Sequence, residues 1–252
     1  MTTVYDSIGR GYATLRRPDL RIAAAIGAAL GDAGSVINVG AGAGSYEPAD
    51  RRVVAVEPSR EMIGQRAAGS APVLQAVAEA LPFGDGAGDA ALAVLTVHHW
   101  RDRAAGLAEL RRVARRTVVV VTWDPARADA FWLTREYLPA IVEVDRAIFP
   151  SLDELDRALG GTRVTTLPVP HDCADGFLGA YWRRPERYLD PAARAVISTF
   201  AKLAPEAVAP GLARLADDLA SGRWESRFGH LRTQDSADLG YRLVVAERSR
   251  RT

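Results

Sequence analysis

Five apolar runs of strand length lie between residues 35 and 123, and segments with helical character separate them. In the clearest of these segments, residues 103–116, Leu107, Leu110 and Val113 share one apolar stripe. Nearly continuous apolar strands that alternate with helices are typical of a parallel sheet covered by helices on both faces. The runs are residues 35–40, 52–57, 72–77, 89–97 and 117–123.

Beyond Trp123 the pattern changes, and it predicts helical insertions after the fifth and sixth strands. Residues 151–159 open with Ser151 at a helix N-cap and Glu154 three residues later, and Gly160 ends them. A helix over residues 18–30 precedes the sheet, and residues 162–169 and 240–248 are typical of two further strands. We therefore predict an α/β, Rossmann-like sheet of seven strands with helices on both faces and helical lid insertions.

A glycine-rich loop, VINVGAGAGSYEP, follows the first apolar run. Its glycines, Gly40, Gly42 and Gly44, stand at alternate positions, so the third arrives one residue earlier than in the dinucleotide fingerprint G-x-G-x-x-G. This spacing favours a nucleoside-like ligand other than NAD, held close to the main chain and a helix N-terminus. A tight turn that binds nothing is the alternative if the loop is considered alone.

A carboxylate, Glu57, ends the second apolar run. At the tip of the strand next to the glycine loop it can accept hydrogen bonds from both hydroxyls of a ribose. Met62 follows in PSREMI, where a flexible thioether can pack against an adenine base. Together the loop, the strand order and Glu57 indicate a bound adenosine.

The charge balance and cysteine content exclude several classes of partner. With 32 basic and 31 acidic residues the net charge is +1, so nucleic acid is not an expected partner. The single cysteine, Cys173, forms no intrachain disulfide and has no partner cysteines for a zinc site, which favours a cytoplasmic protein without a metal. We see neither a signal peptide at the N-terminus nor an apolar run long enough to span a membrane.

These motifs resemble the class I S-adenosylmethionine-dependent methyltransferases, especially the small-molecule group similar to the ubiquinone/menaquinone enzymes (methyltransferase type 11). Besides the glycine loop, the matching segments are VVAVEPSREMI, AVAEALPFGDGAGDAALAVLTVHHW and GLAELRRVARRTVVVVTWDP. The resemblance implies a mostly parallel sheet whose last strand is antiparallel. It also implies one domain over residues 1–252, with an N-terminal helical lid at 1–30, a cofactor-binding core at 35–125 and acceptor-side helical insertions at 126–150 and 171–232.

Two positions depart from the family pattern. Asn38 stands where an acid usually ends the first strand, and Val77 stands where an acid often contacts adenine, so the base would rely on the main chain at Ala78 and Glu79. The N-terminal segment of related enzymes folds over the cofactor, although a solvated helix surface explains its residues equally well. The resemblance implies S-adenosylmethionine, released as S-adenosylhomocysteine, bound by Tyr12, Arg16, Asn38, Gly40, Ala41, Gly42, Gly44, Glu57, Pro58, Met62, Ala78, Glu79, Thr96 and Val97.

Three histidines are the candidate catalytic residues. In the family pattern His98 and His99 end the fourth strand and face the reactive end of the cofactor, where either one acts as a base, orients the acceptor or only packs. His171 belongs to the cluster PHDCADGFLGAYWRR, whose aromatic and arginine side chains either line an acceptor pocket or pack an amphipathic helix on the core.

We therefore predict an enzyme that transfers a methyl group to O, N or C of a small molecule, with bacterial secondary metabolism as one setting, as a monomer or homodimer. The alternative is a protein that binds S-adenosylmethionine without methyl transfer, as a regulator or in another reaction. An NAD-dependent oxidoreductase is disfavoured by the glycine spacing, and macromolecular methylation by the absence of a basic tract.

Overall fold

The computed structural model describes residues 16–248, and its centre is a seven-stranded sheet. The strands are β1 (Ser35–Val39), β2 (Arg52–Val56), β3 (Val73–Leu74), β4 (Gly88–Val94), β5 (Ala114–Trp123), β6 (Arg163–Thr166), β7 (Val169–Pro170), β8 (Ser236–Ala237) and β9 (Tyr241–Glu247). The large sheet has the order β3-β2-β1-β4-β5-β9-β6, while β7 and β8 pair separately. Within it β9 runs antiparallel to both neighbours. The predicted Rossmann-like sheet with an antiparallel last strand is confirmed.

Helices cover both faces of this sheet. The α-helices in the described part of the chain are α1 (Leu20–Ala29), α2 (Arg60–Gly64), α3 (Arg103–Val113), α4 (Pro139–Ile148), α5 (Leu152–Leu159), α6 (Pro191–Ala195), α7 (Pro205–Ala220) and α8 (Arg223–Phe228). A π-helical turn covers Leu133–Tyr137, and 3-10 turns cover Val97–His99, Pro125–Ala130, Leu178–Tyr181, Pro185–Leu189, Phe200–Lys202 and Gly229–Thr233.

The alternation of side chains along β5 divides the core into two layers. Val118 and Val120 pack in the cluster that contains the apolar stripe of α3 and the buried leucines of α5. Val119 and Val121 point to the opposite face, in the cluster with α1, α4 and the aromatic residues of the C-terminal helices. Successive strand residues face opposite sides of a sheet, so one valine-rich strand supports both layers.

Local signals explain where several elements begin and end. The Ser151 hydroxyl caps α5 by accepting a hydrogen bond from the Glu154 backbone N–H, and Gly160 ends the helix at φ +77°. The helix predicted over residues 103–116 ends earlier, at Val113, because Ala114 already pairs with Gly88 in the sheet. The third strand is shorter than its apolar run because it lies at the edge and pairs only with β2.

Candidate functional site

A cavity of about 400 Å³ lies at the carboxyl ends of β1, β2 and β4, which we call the donor cavity. The strand order reverses beside β1, and ligands of open α/β sheets bind at such a switch point. Its volume is in the range of small-molecule sites. Of the sequence-predicted residues, those that line it are Arg16, Asn38, Gly40, Ala41, Gly42, Glu57, Pro58, Met62, Ala78, Glu79, Thr96 and His99.

Different neighbours explain the first two glycines of the loop. A Cβ atom added at Gly40 would lie 2.8 Å from the Cβ of Thr96, so the protein itself excludes a side chain there. At Gly42 the nearest atom would be the flexible Cε of Met62, at 3.2 Å. Both residues have positive φ, +69° and +54°, which favours glycine. A side chain at Gly40 would therefore meet the fold itself, whereas one at Gly42 would meet Met62 in the wall of the donor cavity.

The Glu57 carboxylate links the glycine loop to the start of α2. One oxygen accepts a hydrogen bond from the Gly42 backbone N–H at 2.8 Å, and the other accepts from the Ser59 backbone N–H at 2.9 Å. Glu57 is 5% exposed and lines the donor cavity. Each carboxylate oxygen has a second lone pair, so Glu57 can hold the loop and still accept hydrogen bonds from a ribose.

A buried ion pair beneath the loop involves two residues that sequence reasoning missed. The Nη2 of Arg66 donates to both oxygens of Glu47 at 2.7 and 2.8 Å, and Nη1 donates to the Gly42 carbonyl at 3.3 Å. The Asn38 amide also donates to Glu47, at 3.4 Å. Glu47 thus brings a carboxylate to the place where Asn38 itself lacks one. In the sequence, the acidic residue of SYEP was the available signal for this pair. Its partner Arg66 lies beyond β2 and α2, so no local spacing connects the two residues.

The side of the donor cavity next to Met62 is built from buried apolar groups and main chain. Met62 is 2% exposed, while Ala78 and Glu79 follow β3 and line the cavity. The Glu79 carboxylate accepts hydrogen bonds from the backbone N–H groups of Arg101 and Asp102, at 2.8 and 3.2 Å. These two hydrogen bonds connect the loop after β3 to the residues that precede α3.

Arg16 lies at the opposite end of the donor cavity and forms an ion pair with Asp175. Asp175 is fully buried, and its other oxygen accepts a hydrogen bond from the Tyr46 hydroxyl at 2.9 Å. Burial, followed by the charge of Asp175, raises the pKa of Tyr46, which keeps this hydroxyl a donor. The network joins the N-terminal segment to the loop after β7.

Three of the residues predicted to bind the cofactor are not found in the lining of the donor cavity. Gly44 and Val97 line none of the cavities found among residues 16–248: a side chain at Gly44 would approach the Arg66 guanidinium, and Val97 packs in the core layer with α3. Tyr12 lies outside the described residues.

A second cavity of about 60 Å³, which we call the inner cavity, adjoins the donor cavity. Arg16 and Leu95 line both of them and mark their junction. Leu95 has φ +48°, a strained conformation for a residue with a Cβ atom, and such positions cluster at functional sites. The other walls of the inner cavity are mostly apolar and include Trp123, Phe149 and Tyr241.

The two histidines after β4 divide between these cavities. His99 lines the donor cavity and His98 the inner cavity, with their ring centroids 3.9 Å apart. The His98 ring also stacks on Phe149 at 3.9 Å. Burial, with nearby Lys202 and Arg16, lowers the pKa of His99 to about 3, and burial with the neighbouring His99 lowers that of His98 well below its usual value. Both rings are therefore neutral at pH 7.

His171 is not brought together with the other candidate catalytic residues. It lines neither the donor nor the inner cavity, and its ring lies 3.6 Å from Asp172 near the surface. Trp182, from the same cluster, is fully buried and its indole N–H points to the carbonyls of Val169 and Pro170, at 3.1 and 3.2 Å. The geometry therefore favours the packing interpretation of this cluster.

Neither a metal centre nor a membrane helix is found in the described range. Residues 16–248 contain no group of His, Cys, Asp or Glu side chains that could hold a metal ion. No helix of that range is long and apolar enough to cross a bilayer.

The comparisons with known proteins agree on one family. Residues 37–122 match the family model described as a methyltransferase domain. The chain is similar to a protein from Anabaena variabilis described as a putative methyltransferase from an antibiotic biosynthesis pathway, with 33% identity, coverage of 92% of this chain and 98% of that chain, and a TM-score of 0.85. No curated protein matches.

Two more distant structures share the fold. The [4+2]-cyclase SpnF is 16% identical, with a TM-score of 0.53 over 90% of this chain and 80% of its own. A protein from Galdieria sulphuraria described as a putative sarcosine dimethylglycine methyltransferase is 14% identical, with a TM-score of 0.51 over 90% of this chain and 84% of its own.

Proposed function

The chain belongs to the class I S-adenosylmethionine-dependent methyltransferases, and on that premise we propose that its acceptor is a small molecule methylated at the junction of the donor and inner cavities. The observation that carries this proposal is that Arg16 and Leu95 line both cavities. A nucleoside-sized site and a mostly apolar pocket therefore meet at one point. The Anabaena protein's described place in antibiotic biosynthesis supports a setting in secondary metabolism.

The residues of the donor cavity fit S-adenosylmethionine. Gly42 leaves its surface free of a side chain, and Glu57 offers a nearly buried carboxylate at the strand tip for the ribose. Met62 offers an apolar surface to the adenine, and the main chain at Ala78 offers hydrogen-bonding groups to its edge. When bound, this cofactor supplies a methyl group on a positively charged sulfur, which becomes a neutral thioether after transfer.

The protein contributes alignment, enclosure and hydrogen bonding. Transfer requires the acceptor atom to approach the methyl carbon in line with the sulfur, and correct placement alone lowers the barrier strongly. The walls of the inner cavity exclude water around the acceptor. His98 and His99, neutral at pH 7, can accept a hydrogen bond from the acceptor and orient it without a charge.

The test measures binding and turnover on the same protein. Calorimetry should show that S-adenosylmethionine and S-adenosylhomocysteine bind, and mass spectrometry with a panel of small phenols, amines and carbon acids should show one class gaining 14 mass units per methyl group. The matched variants are Glu57→Gln in the donor cavity and Glu143→Gln on the exposed face of α4. Binding with no methylated product from any acceptor would contradict the proposal and favour a binding or cyclase-like role.

A further inference from the structure

The inner cavity contains a carboxyl group that the proposed function has not used. Asp145 lies on α4 one helical turn after Ile141, and Phe149 follows directly after the end of that helix; all three line the cavity. An acidic residue thus interrupts an apolar stripe. Asp145 is 3% exposed, whereas Glu143 of the same helix is exposed to solvent.

The Asp145 carboxylate has few partners for a buried group. The Thr199 hydroxyl donates to its Oδ1 at 2.8 Å, and this is the hydrogen bond that residues 16–248 provide to the side chain. Ionised carboxylates in proteins usually accept several hydrogen bonds or an ion pair when they are buried. The ionised side chain therefore weakens the fold, and its position in the cavity wall allows it to contact a ligand.

The surrounding charges distinguish between acceptor types. Four titratable groups from outside α4 surround Asp145. Arg16, His98 and Tyr241 line the same cavity, and Lys202 lies close enough to lower the pKa of the Asp145 carboxyl group. Lys202 is the only lysine of the chain. Lys202 and, to a smaller extent, Arg16 lower the pKa of both histidines, so these rings lie in a positive field, which the ion pair of Arg16 with Asp175 reduces. Such a field disfavours an ammonium group and stabilises an oxyanion.

We propose that Asp145 is the general base of the reaction and that the acceptor is a compact molecule whose hydroxyl group sits on an unsaturated carbon, as in a phenol. This proposal rests on the proposed methyl transfer. The acceptor hydroxyl faces Oδ2 of Asp145, since Oδ1 is held by Thr199. Aromatic rings of Phe149 and Trp123 form the walls against which its unsaturated carbons pack.

The proton and electron balance is complete without another reactant. The O–H bond of the acceptor breaks and its proton moves to Oδ2 of Asp145, while the oxygen keeps the electron pair and bonds to the methyl carbon. The carbon–sulfur pair stays on sulfur, and Asp145 later returns the proton to solvent. Burial raises the pKa of Asp145 to about 6, so the carboxylate is ionised at pH 7.5 and is a stronger base than an exposed aspartate.

Size limits which acceptors enter. The inner cavity, at about 60 Å³, is smaller than the roughly 150 Å³ that holds a benzene ring, so a ring enters only when a wall side chain moves. Of the aromatic walls, Phe149 and Trp123 are only partly buried. Single-ring acceptors are therefore expected and multi-ring acceptors are not.

The test compares two phenols of different acidity on the wild type, Asp145→Asn and the control Glu143→Gln. Loss of a general base should slow methylation of phenol about 100-fold or more, but should slow that of 4-nitrophenol, which is largely ionised at pH 8, less than tenfold. Glu143→Gln should match the wild type on both. Because Asn keeps the size of the side chain and an acceptor for Thr199, it should fold; Thr199→Val, which removes only the orienting hydrogen bond, provides a second variant with a partial loss.

A binding measurement tests the same residue without turnover. The absorbance of 4-nitrophenol bound to the protein with S-adenosylhomocysteine reports its ionisation, and the apparent pKa of the bound phenol should fall in Asp145→Asn because a neighbouring negative charge is removed. Equal effects of Asp145→Asn on both phenols, an unchanged pKa, or no binding of 4-nitrophenol would each overturn the proposal. Methylation of aniline but not of phenol would overturn the acceptor class while leaving methyl transfer intact, whereas failure to bind S-adenosylmethionine would overturn the proposed function itself.

Discussion

Glu57 accepts a hydrogen bond of 2.8 Å from the backbone N–H of Gly42, and this contact fixes the glycine loop to the end of the neighbouring strand. The other oxygen holds the backbone N–H of Ser59. The carboxylate therefore shapes the donor cavity before any ligand binds. Both oxygens thus hold main-chain groups, and the ribose contact that we propose for Glu57 would use the same pair.

Glu57→Gln should weaken S-adenosylmethionine binding by about 1–3 kcal/mol, because hydrogen bonds to a charged acceptor are lost and an amide NH2 group faces a backbone donor. Calorimetry on the purified variant measures this change. The control, Glu143→Gln, makes the same carboxylate-to-amide change on an exposed helix face and should leave the affinity unchanged. Equal affinities for the two variants would remove Glu57 from the site.

Substitutions at Gly40 and Gly42 should fail in different ways. Gly40→Ala should mainly destabilise the fold, since its Cβ would overlap the Thr96 side chain. Gly42→Ala should cost only about 1–2 kcal/mol of stability, for a non-glycine residue at positive φ, and Gly42→Val should abolish cofactor binding through its bulk in the cavity. Urea denaturation and calorimetry on the three variants separate the effects, and a Gly42→Val protein that binds normally would show that this glycine is only structural.

The buried pair of Arg66 and Glu47 should be strongly coupled. Their side chains are 4% and 9% exposed, so Arg66→Met leaves a carboxylate buried without its counter-charge and should cost about 3–5 kcal/mol. The double variant Arg66→Met with Glu47→Met should recover much of that loss. A double-mutant cycle from urea denaturation measures the coupling, and additive losses would contradict it.

Local patterns predicted the fold and much of the donor cavity. The apolar runs and the capping residues of α5 act within a few residues of themselves, so the sequence order already contains their partners. The spacing of the glycines is also a local signal, although the side chains that they meet come from other segments. Glu57 and Gly42 come together because the parallel pairing of β1 with β2 aligns their ends. Pairing of adjacent strands is itself a strong expectation for this pattern.

The inner cavity was harder to predict because its residues meet only through tertiary packing. Asp145 and Thr199 belong to different insertions and are joined by a hydrogen bond that no local spacing predicts. An acidic residue on an apolar helix stripe was the available signal. Conversely, the aromatic cluster around Trp182 has the composition of a pocket wall, but Trp132 donates to the Trp182 carbonyl and Trp224 packs nearby in the same buried layer.

Removing the positive charge of Lys202 should raise the pKa of His98 and His99. Burial is the larger cause of their low values and will remain, so the rings should stay mostly neutral at pH 7 in Lys202→Met. Nitrogen chemical shifts of labelled histidine, followed against pH, report the change. Arg146→Met, on the exposed face of α4, is the control for loss of a cation, and identical titrations in the two variants would show that Lys202 does not act on these rings.

Asp145 should make the fold less stable as pH rises from about 4 to 6. Burial raises its pKa from 3.8 to about 6, so the unfolded chain releases this proton first and the native state is progressively disfavoured until both forms are ionised. The full effect, reached above pH 6, is about 3 kcal/mol.

Urea denaturation of the wild type and Asp145→Asn at several pH values from 4 to 7.5 tests this sign. Other carboxylates, such as Asp19 and Asp89, have lowered pKa values and lose stabilising interactions as pH falls, but they titrate alike in both proteins and cancel in the difference. As pH rises, the free energy of unfolding of Asp145→Asn should therefore increase relative to that of the wild type. The values for Glu143→Gln should follow those of the wild type. Parallel curves for the wild type and Asp145→Asn would mean that burial does not raise the pKa of this carboxyl group, and would contradict its proposed role as a proton acceptor in the inner cavity.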